Sequence, residues 1–156
     1  MTNLILVTLG VLLASGAAVM VTFYGGTAFT DTRRNGEASK IIVEGSQIAS
    51  AFDAFVQRER RLPGGGSSSE DALDELLAED YLSEIPNGAG QSGWKIDYSA
   101  GMIYSVVGSA SDEESMKICR SARAQIGLSN RDTVYRCDGS DYPGGSLPDR
   151  EPCCIH

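Results

Sequence analysis

Histidine occurs once in the 156 residues, at the last position, and tryptophan once, at Trp94. No Asp, Glu, Lys, Arg or His precedes Asp31, and no cysteine precedes Cys119. Each scarcity excludes a class of chemistry. A lone His156 leaves no histidine base beside a nucleophile, and there is no Gly-x-Ser-x-Gly or haem-attachment motif. The glycines of Pro63-Gly-Gly-Gly are followed by serines and not by lysine, so they do not form a phosphate loop. Basic residues are outnumbered 21 to 13, the net charge is −8 and the isoelectric point is about 4.6. Direct binding to a nucleic-acid backbone rests on Lys and Arg and is not expected; an acidic, solvated surface is. Cys153-Cys154-Ile155-His156 fits no structural zinc spacing, and disulfides are favoured over a metal. No catalytic residue, cofactor or metal is therefore expected.

What the first thirty residues do contain is aliphatic. From Asn3 to Tyr24 roughly 22 residues would extend about 33 Å as a helix, the thickness of a bilayer core. A cleaved secretory signal would carry a basic flank, which is missing here. A signal anchor for a tethered domain is one remaining reading. The other is a helix that serves both in the membrane and in the middle of an assembly. The same missing flank leaves two expectations for Met1: its amine supplies the positive charge alone, or a basic leader has been removed ahead of it. Four late cysteines behind such a segment predict export to an oxidising compartment.

Beyond Thr30 the pattern becomes amphipathic. Ala38, Ile41, Ile42, Gly45, Ile48, Ala49, Phe52, Phe55 and Val56 fall at three- and four-residue spacing and predict a helix face packed under a sheet. Gly36 is a candidate place for that helix to bend. Arg58, Arg60 and Arg61 sit at its end as solvated charge that suits the helix dipole. Pro63 to Ser69 then forms a flexible loop. Ser68 is expected to cap a second helix with Asp71 at the third position. Leu73, Leu76, Leu77 and Tyr81 form the buried face of that helix, and its acids face water. Trp94–Tyr98 and Met102–Val107, joined at Ser99-Ala100-Gly101, predict a hairpin. Ser111 with Glu114 predicts a capping box for a third helix that runs through Met116, Cys119, Ala122 and Ile126 to Gly127. Thr133–Cys137 reads as a further strand, and everything after Asp138 as irregular.

An apolar N-terminal helix, an amphipathic extension, Tyr81-Leu-Ser-Glu-Ile-Pro86 before a glycine-rich loop and Gly93-Trp94, and cysteines in Met116-Lys-Ile-Cys119 and Val134-Tyr-Arg-Cys137 together resemble a type IV pilin. Type IVb pilins, toxin-coregulated and bundle-forming pilins among them, are the most similar class. The resemblance implies an α+β fold in which a long N-terminal helix, its hydrophobic half protruding, packs on a small antiparallel sheet. Residues 1–30 would be the membrane and filament-core helix, and 31–156 the globular domain. Within that domain it implies an amphipathic helix over 31–62, an αβ-loop with a helix over 63–91, sheet and capping helix over 92–137, and a disulfide-linked tail over 138–156.

The resemblance also implies a function: a structural subunit, not an enzyme, that forms a helical homopolymer after residence in the bacterial inner membrane. Its partners would be further copies, a prepilin peptidase and the pilus assembly machinery, and its destination an extracellular filament. Met1, Leu4, Ile5, Leu6, Val7, Leu9, Val11, Leu12, Leu13, Val19, Met20, Val21, Phe23 and Tyr24 would form the filament core. Gly10, Gly16, Gly25 and Gly26 would let the helix open locally. Met1 would be the mature N-terminus and a candidate for N-methylation. Most members have glutamate where this chain has Ile5, so the buried amine would go to a backbone carbonyl, Thr2, Asn3 or Thr8 of a neighbour. A minor pilin or pseudopilin is the related alternative, and a signal-anchored binding domain or enzyme the unrelated one.

Cys119, Cys137, Cys153 and Cys154 are the expected disulfide residues. Adjacent Cα atoms lie about 3.8 Å apart, too close for the usual bridge, so Cys153 and Cys154 are not expected to pair with each other. Geometry favours Cys119 and Cys137 both bonding forward to the tail, whereas the resemblance implies Cys119–Cys137.

Overall fold

The computed structural model describes residues 29–89, 93–109, 111–142, 145 and 147–156, and for residues 2–28 the helical course of the backbone alone. The expectations for the filament core, for Gly10, Gly16, Gly25 and Gly26 and for Met1 therefore lie outside the described residues. The chain divides into two compact units, Met1–Arg33 and Arg34–His156. Helix α1 is assigned over Thr2–Glu59, without interruption at Gly36. Among the fully described residues, from Phe29 onward, no helix is long and apolar enough to cross a membrane.

In the second unit the apolar period of α1 becomes its covered face. Ala38, Ile41, Ile48, Ala51 and Phe55 are buried, while Val43 on the opposite side is 55% exposed. Gly45 belongs to the covered face because a Cβ there would stand 3.1 Å from the Trp94 ring, so its absence lets the indole lie against the helix. α1 ends where Arg60 turns into the left-handed region, its N–H donating back to Val56 O at 2.9 Å.

The segment predicted as a flexible loop is instead a short 3-10-type turn, Pro63–Gly66, with Gly64, Gly65 and Gly66 in the left-handed region, fastened by Glu75 and Tyr98. Gly64 N–H donates to Glu75 Oε2 at 2.6 Å, and Arg61 donates to Glu75 Oε1 at 2.5 Å. The Tyr98 hydroxyl reaches the Pro63 and Ser68 carbonyls at 2.9 and 3.0 Å. Helix α2, Ser69–Ala78, starts at the expected cap, with Ser68 Oγ accepting from Asp71 N–H at 3.0 Å. Its inner face is Ala72, Leu73 and Leu76; Leu77, expected inside, is 36% exposed because it falls one residue past the stripe. Glu70, Asp71, Asp74, Glu79 and Asp80 face water. Asp80, in the left-handed conformation, closes the helix before Tyr81.

Strands β1, Trp94–Asp97, and β2, Met102–Val106, form the expected hairpin, with Trp94 opposite Ser105 and Asp97 opposite Met102. The Asp97 carboxylate accepts from Ser99 Oγ, Ser99 N–H and Ala100 N–H at 2.6, 2.9 and 3.1 Å, which fixes the turn and holds its carboxyl below the ordinary 3.8. Helix α3, Glu113–Gln125, is capped by Asp112 and not by Ser111. The two caps differ by one position, and the Asp112 carboxylate takes both Glu114 N–H and the Ser115 hydroxyl, at 3.1 and 2.5 Å. Arg34 clamps α1 to α3 through both oxygens of Glu114 at 2.6 and 2.7 Å.

The sheet corrects the expectation in kind. Its third strand is β3, Cys153–Cys154, from the tail predicted to be irregular, and it runs parallel to β2. The sheet is thus mixed, in the order β1-β2-β3. Thr133–Cys137 supplies only the single bridge Arg136 to Ile155. A two-residue strand has no periodicity to detect, and it is held by neighbouring bonds: Ser105 N–H to Pro152 O, Val107 N–H to Cys154 O and His156 N–H to Gly108 O.

Because side chains alternate along a strand, the sheet separates two apolar layers. Trp94, Ile96 and Val107 join Ala38, Ile41 and Ile48 of α1, Leu73 of α2 and Ala122 of α3. Met102, Tyr104 and Val106 meet Tyr135 and Leu147 on the other side. Phe55, fully buried between Leu76 and the Tyr81 ring, anchors the far end of α1. Phe55→Ala should lower the unfolding free energy by about 3–5 kcal/mol, and Leu77→Ala by less than about 1, as read from denaturant midpoints.

Candidate functional site

The most heavily constrained part of the described domain is where the tail returns to the sheet. Cys153 and Cys154 are consecutive in β3, so their sulfurs leave opposite faces. Cys153 bonds Cys119 of α3, with the Cα atoms 5.8 Å apart, and Cys154 bonds Cys137, at 5.0 Å. Both bonds run forward to the tail, as geometry favoured; the Cys119–Cys137 pairing implied by the resemblance is not the one formed. Cys119 belongs to the layer with α1 and Cys137 packs against the other layer, so the sheet stands between them.

Beside the first bridge lies a pair that sequence reasoning missed. Arg123 Nη1 donates to Glu151 Oε2, with the two side chains 2% and 0% exposed. Arg123 Nη2 donates to Asn130 O at 2.7 Å, and the guanidinium lies over the Tyr135 ring, 5.0 Å from its centre. Arg123 Nε and Glu151 Oε1 have no hydrogen-bond partner. Burial pushes the Glu151 carboxyl above its ordinary 4.5, against the opposing pull of Arg123. The available signal was positional: Arg123 is four residues after Cys119, on the apolar side of α3, where a charge needs a partner.

Outside this core an open groove of about 620 Å³ runs between α1 and the hairpin, lined by Ile41, Ile42, Gly45, Trp94, Met102 and Ile103. Asp149, Arg150, Glu151 and Pro152 line it as well. A neighbouring 330 Å³ hollow shares Gly45, Ala49, Gly101 and Ile103 with it and adds Phe52, Leu62 and Tyr98. The remaining sequence candidates do not converge on the groove. Arg58 and Arg60 are exposed, and Arg61 lies over the Phe55 ring while it pairs with Glu75. His156 is exposed. Cys119, Cys153 and Glu151 do come together, with one potential ligand atom from each within 4.8 Å of the others. In the oxidised chain both sulfurs belong to the disulfide.

No family model, curated protein or solved structure matches this chain.

The buried pair gives a direct test of how the tail is held. Removing one partner strands the other, so Arg123→Met or Glu151→Leu alone should cost about 3–5 kcal/mol, whereas the two together should cost much less. The pH dependence follows from the raised Glu151 value. Its favourable contribution is complete below 4.5 and is lost as the pH climbs through the raised folded value. Without Arg123 that value rises further, so the Arg123→Met penalty should be larger at neutral pH than near 4.5. Chemical denaturation of the two single variants and the double variant across this range measures both effects.

Proposed function

We propose that this chain is a pilin-class structural subunit that polymerises into an extracellular type IV filament through its N-terminal apolar helix. The observation that carries the reading is α1. One helical element, Thr2–Glu59, begins in a stretch without charged side chains and ends as the face on which a small sheet and α2 pack. The late cysteines support it, since two bridges fasten the C-terminal region of an exported domain. In this proposal Leu4–Tyr24 sits in the inner membrane before assembly and is covered by equivalent segments of other copies afterwards. An apolar surface of that size left bare in water would aggregate. Ile5, in the place of the usual acid, favours a second reading within the same class, a minor pilin or pseudopilin that primes a filament.

Val11→Asp and Ser67→Asp separate these ideas from a merely tethered domain. Ser67 is exposed at the end of the 3-10 turn, while Val11 lies in the apolar stretch. With subunit levels matched in cells that carry the assembly machinery, electron microscopy of sheared material should show filaments from the Ser67→Asp chain and none from Val11→Asp. Normal filaments from Val11→Asp would overturn assembly through the apolar helix. An unassembled wild-type chain that stays with the membrane would favour the tethered domain.

A further inference from the structure

We propose that reduction of the Cys119–Cys153 bond turns Cys119, Cys153 and Glu151 into a site for a soft divalent cation of the zinc and cadmium class. The donor atoms lie within 4.8 Å of one another, and all three residues are buried. Bond lengths of about 2.3 Å to sulfur and about 2.0–2.2 Å to oxygen put the ligands of one tetrahedral ion roughly 3.5–4 Å apart, so small shifts after S–S cleavage suffice. The donors come from separate parts of the fold. Cys119 is on α3, and Glu151 precedes Cys153 by two positions on the approach to β3, the spacing that shares one side of an extended chain.

A second observation singles out the oxygen. Glu151 Oε2 is held by Arg123, whereas Oε1 is buried without a hydrogen-bond partner. Oε1 is the atom free to ligate. Charge agrees: two thiolates and a carboxylate against one guanidinium leave two negative charges, which a divalent cation cancels. Sulfur-rich donors select zinc or cadmium over magnesium or calcium. The groove reaches Glu151 and Pro152, which gives an ion an approach and supplies water for a fourth position. Among the described residues no such group includes Cys137 or Cys154.

The chemistry balances. A dithiol reductant gives two electrons and two protons to the Cys119–Cys153 bond and closes into its own disulfide; the metal then displaces both protons from the new thiols. Metal and oxidation compete for the same sulfurs, so an ion can hold α3 against β3 before the bridge forms.

The test uses the full-length chain in detergent with Cys137→Ser and Cys154→Ser, reduced by a phosphine that water converts to its oxide, and titrated with Cd²⁺. One cadmium per chain, a thiolate-to-metal charge-transfer band and a raised Tm are expected. Adding Cys119→Ser and Cys153→Ser should abolish the band. Adding Arg123→Met and Glu151→Leu, which removes the carboxylate without stranding the arginine, should weaken binding by about tenfold or more while near-UV circular dichroism persists. The fully reduced wild-type chain, titrated in parallel, should hold one tight ion. No band from either reduced protein, folded or not, overturns the proposal, as does unchanged affinity without Glu151 or a second, equal site in the wild-type chain.

Discussion

The alternation of side chains along an extended backbone is the constraint on which the described domain depends. Two cysteines in sequence cannot point the same way in a strand, so β3 presents one sulfur to each layer. One bridge reaches α3, which Arg34 and Glu114 tie to α1. The other reaches Cys137, beside the Tyr135 and Tyr142 rings, which meet edge to face. Two residues thus fasten the helical layer, the sheet and the tail together. Bridges that close 34- and 17-residue separations suit a domain of this size. Each typically stabilises by about 2–4 kcal/mol, which is large against a total of about 5–15.

The buried Arg123–Glu151 pair belongs to the same junction. Desolvation of both charges offsets much of their attraction, so its net contribution to stability is small even though breaking it is costly. Glu151 is buried against Arg123 two positions before Cys153, so the pair lies beside the first bridge where the tail enters β3.

Local periodicity made much of the fold legible. The α1 stripe, the Ser68 cap, the hairpin and the course of α3 each rest on residues close in sequence, and all formed as expected. The errors share a different origin. β3 pairs with a strand about fifty residues earlier, and two residues carry neither a period nor a propensity strong enough to announce it. Arg123 finds its partner 28 residues away, and nothing near Glu151 marks it as buried. Ser111 and Asp112 both satisfy capping chemistry, and only the geometry of the turn decides between them. The cysteine pairing was half legible: the distance between adjacent residues ruled out one bond, but the sheet that separates Cys119 from Cys137 comes from the nonlocal pairing itself. The apolar character of the first thirty residues was plain from composition, and the pilin reading rests on it together with α1.

Pairing of individual sulfurs is the most direct test of the two-sided staple. Non-reducing peptide mapping of the full-length chain, with fragmentation that cuts the backbone between Cys153 and Cys154, assigns each bond separately. Cys119–Cys153 together with Cys137–Cys154 is the expected result. A Cys119–Cys137 link would contradict a strand that shows one sulfur to each face, and the crossed pairs Cys119–Cys154 and Cys137–Cys153 would contradict the register in which β3 lies beside β2.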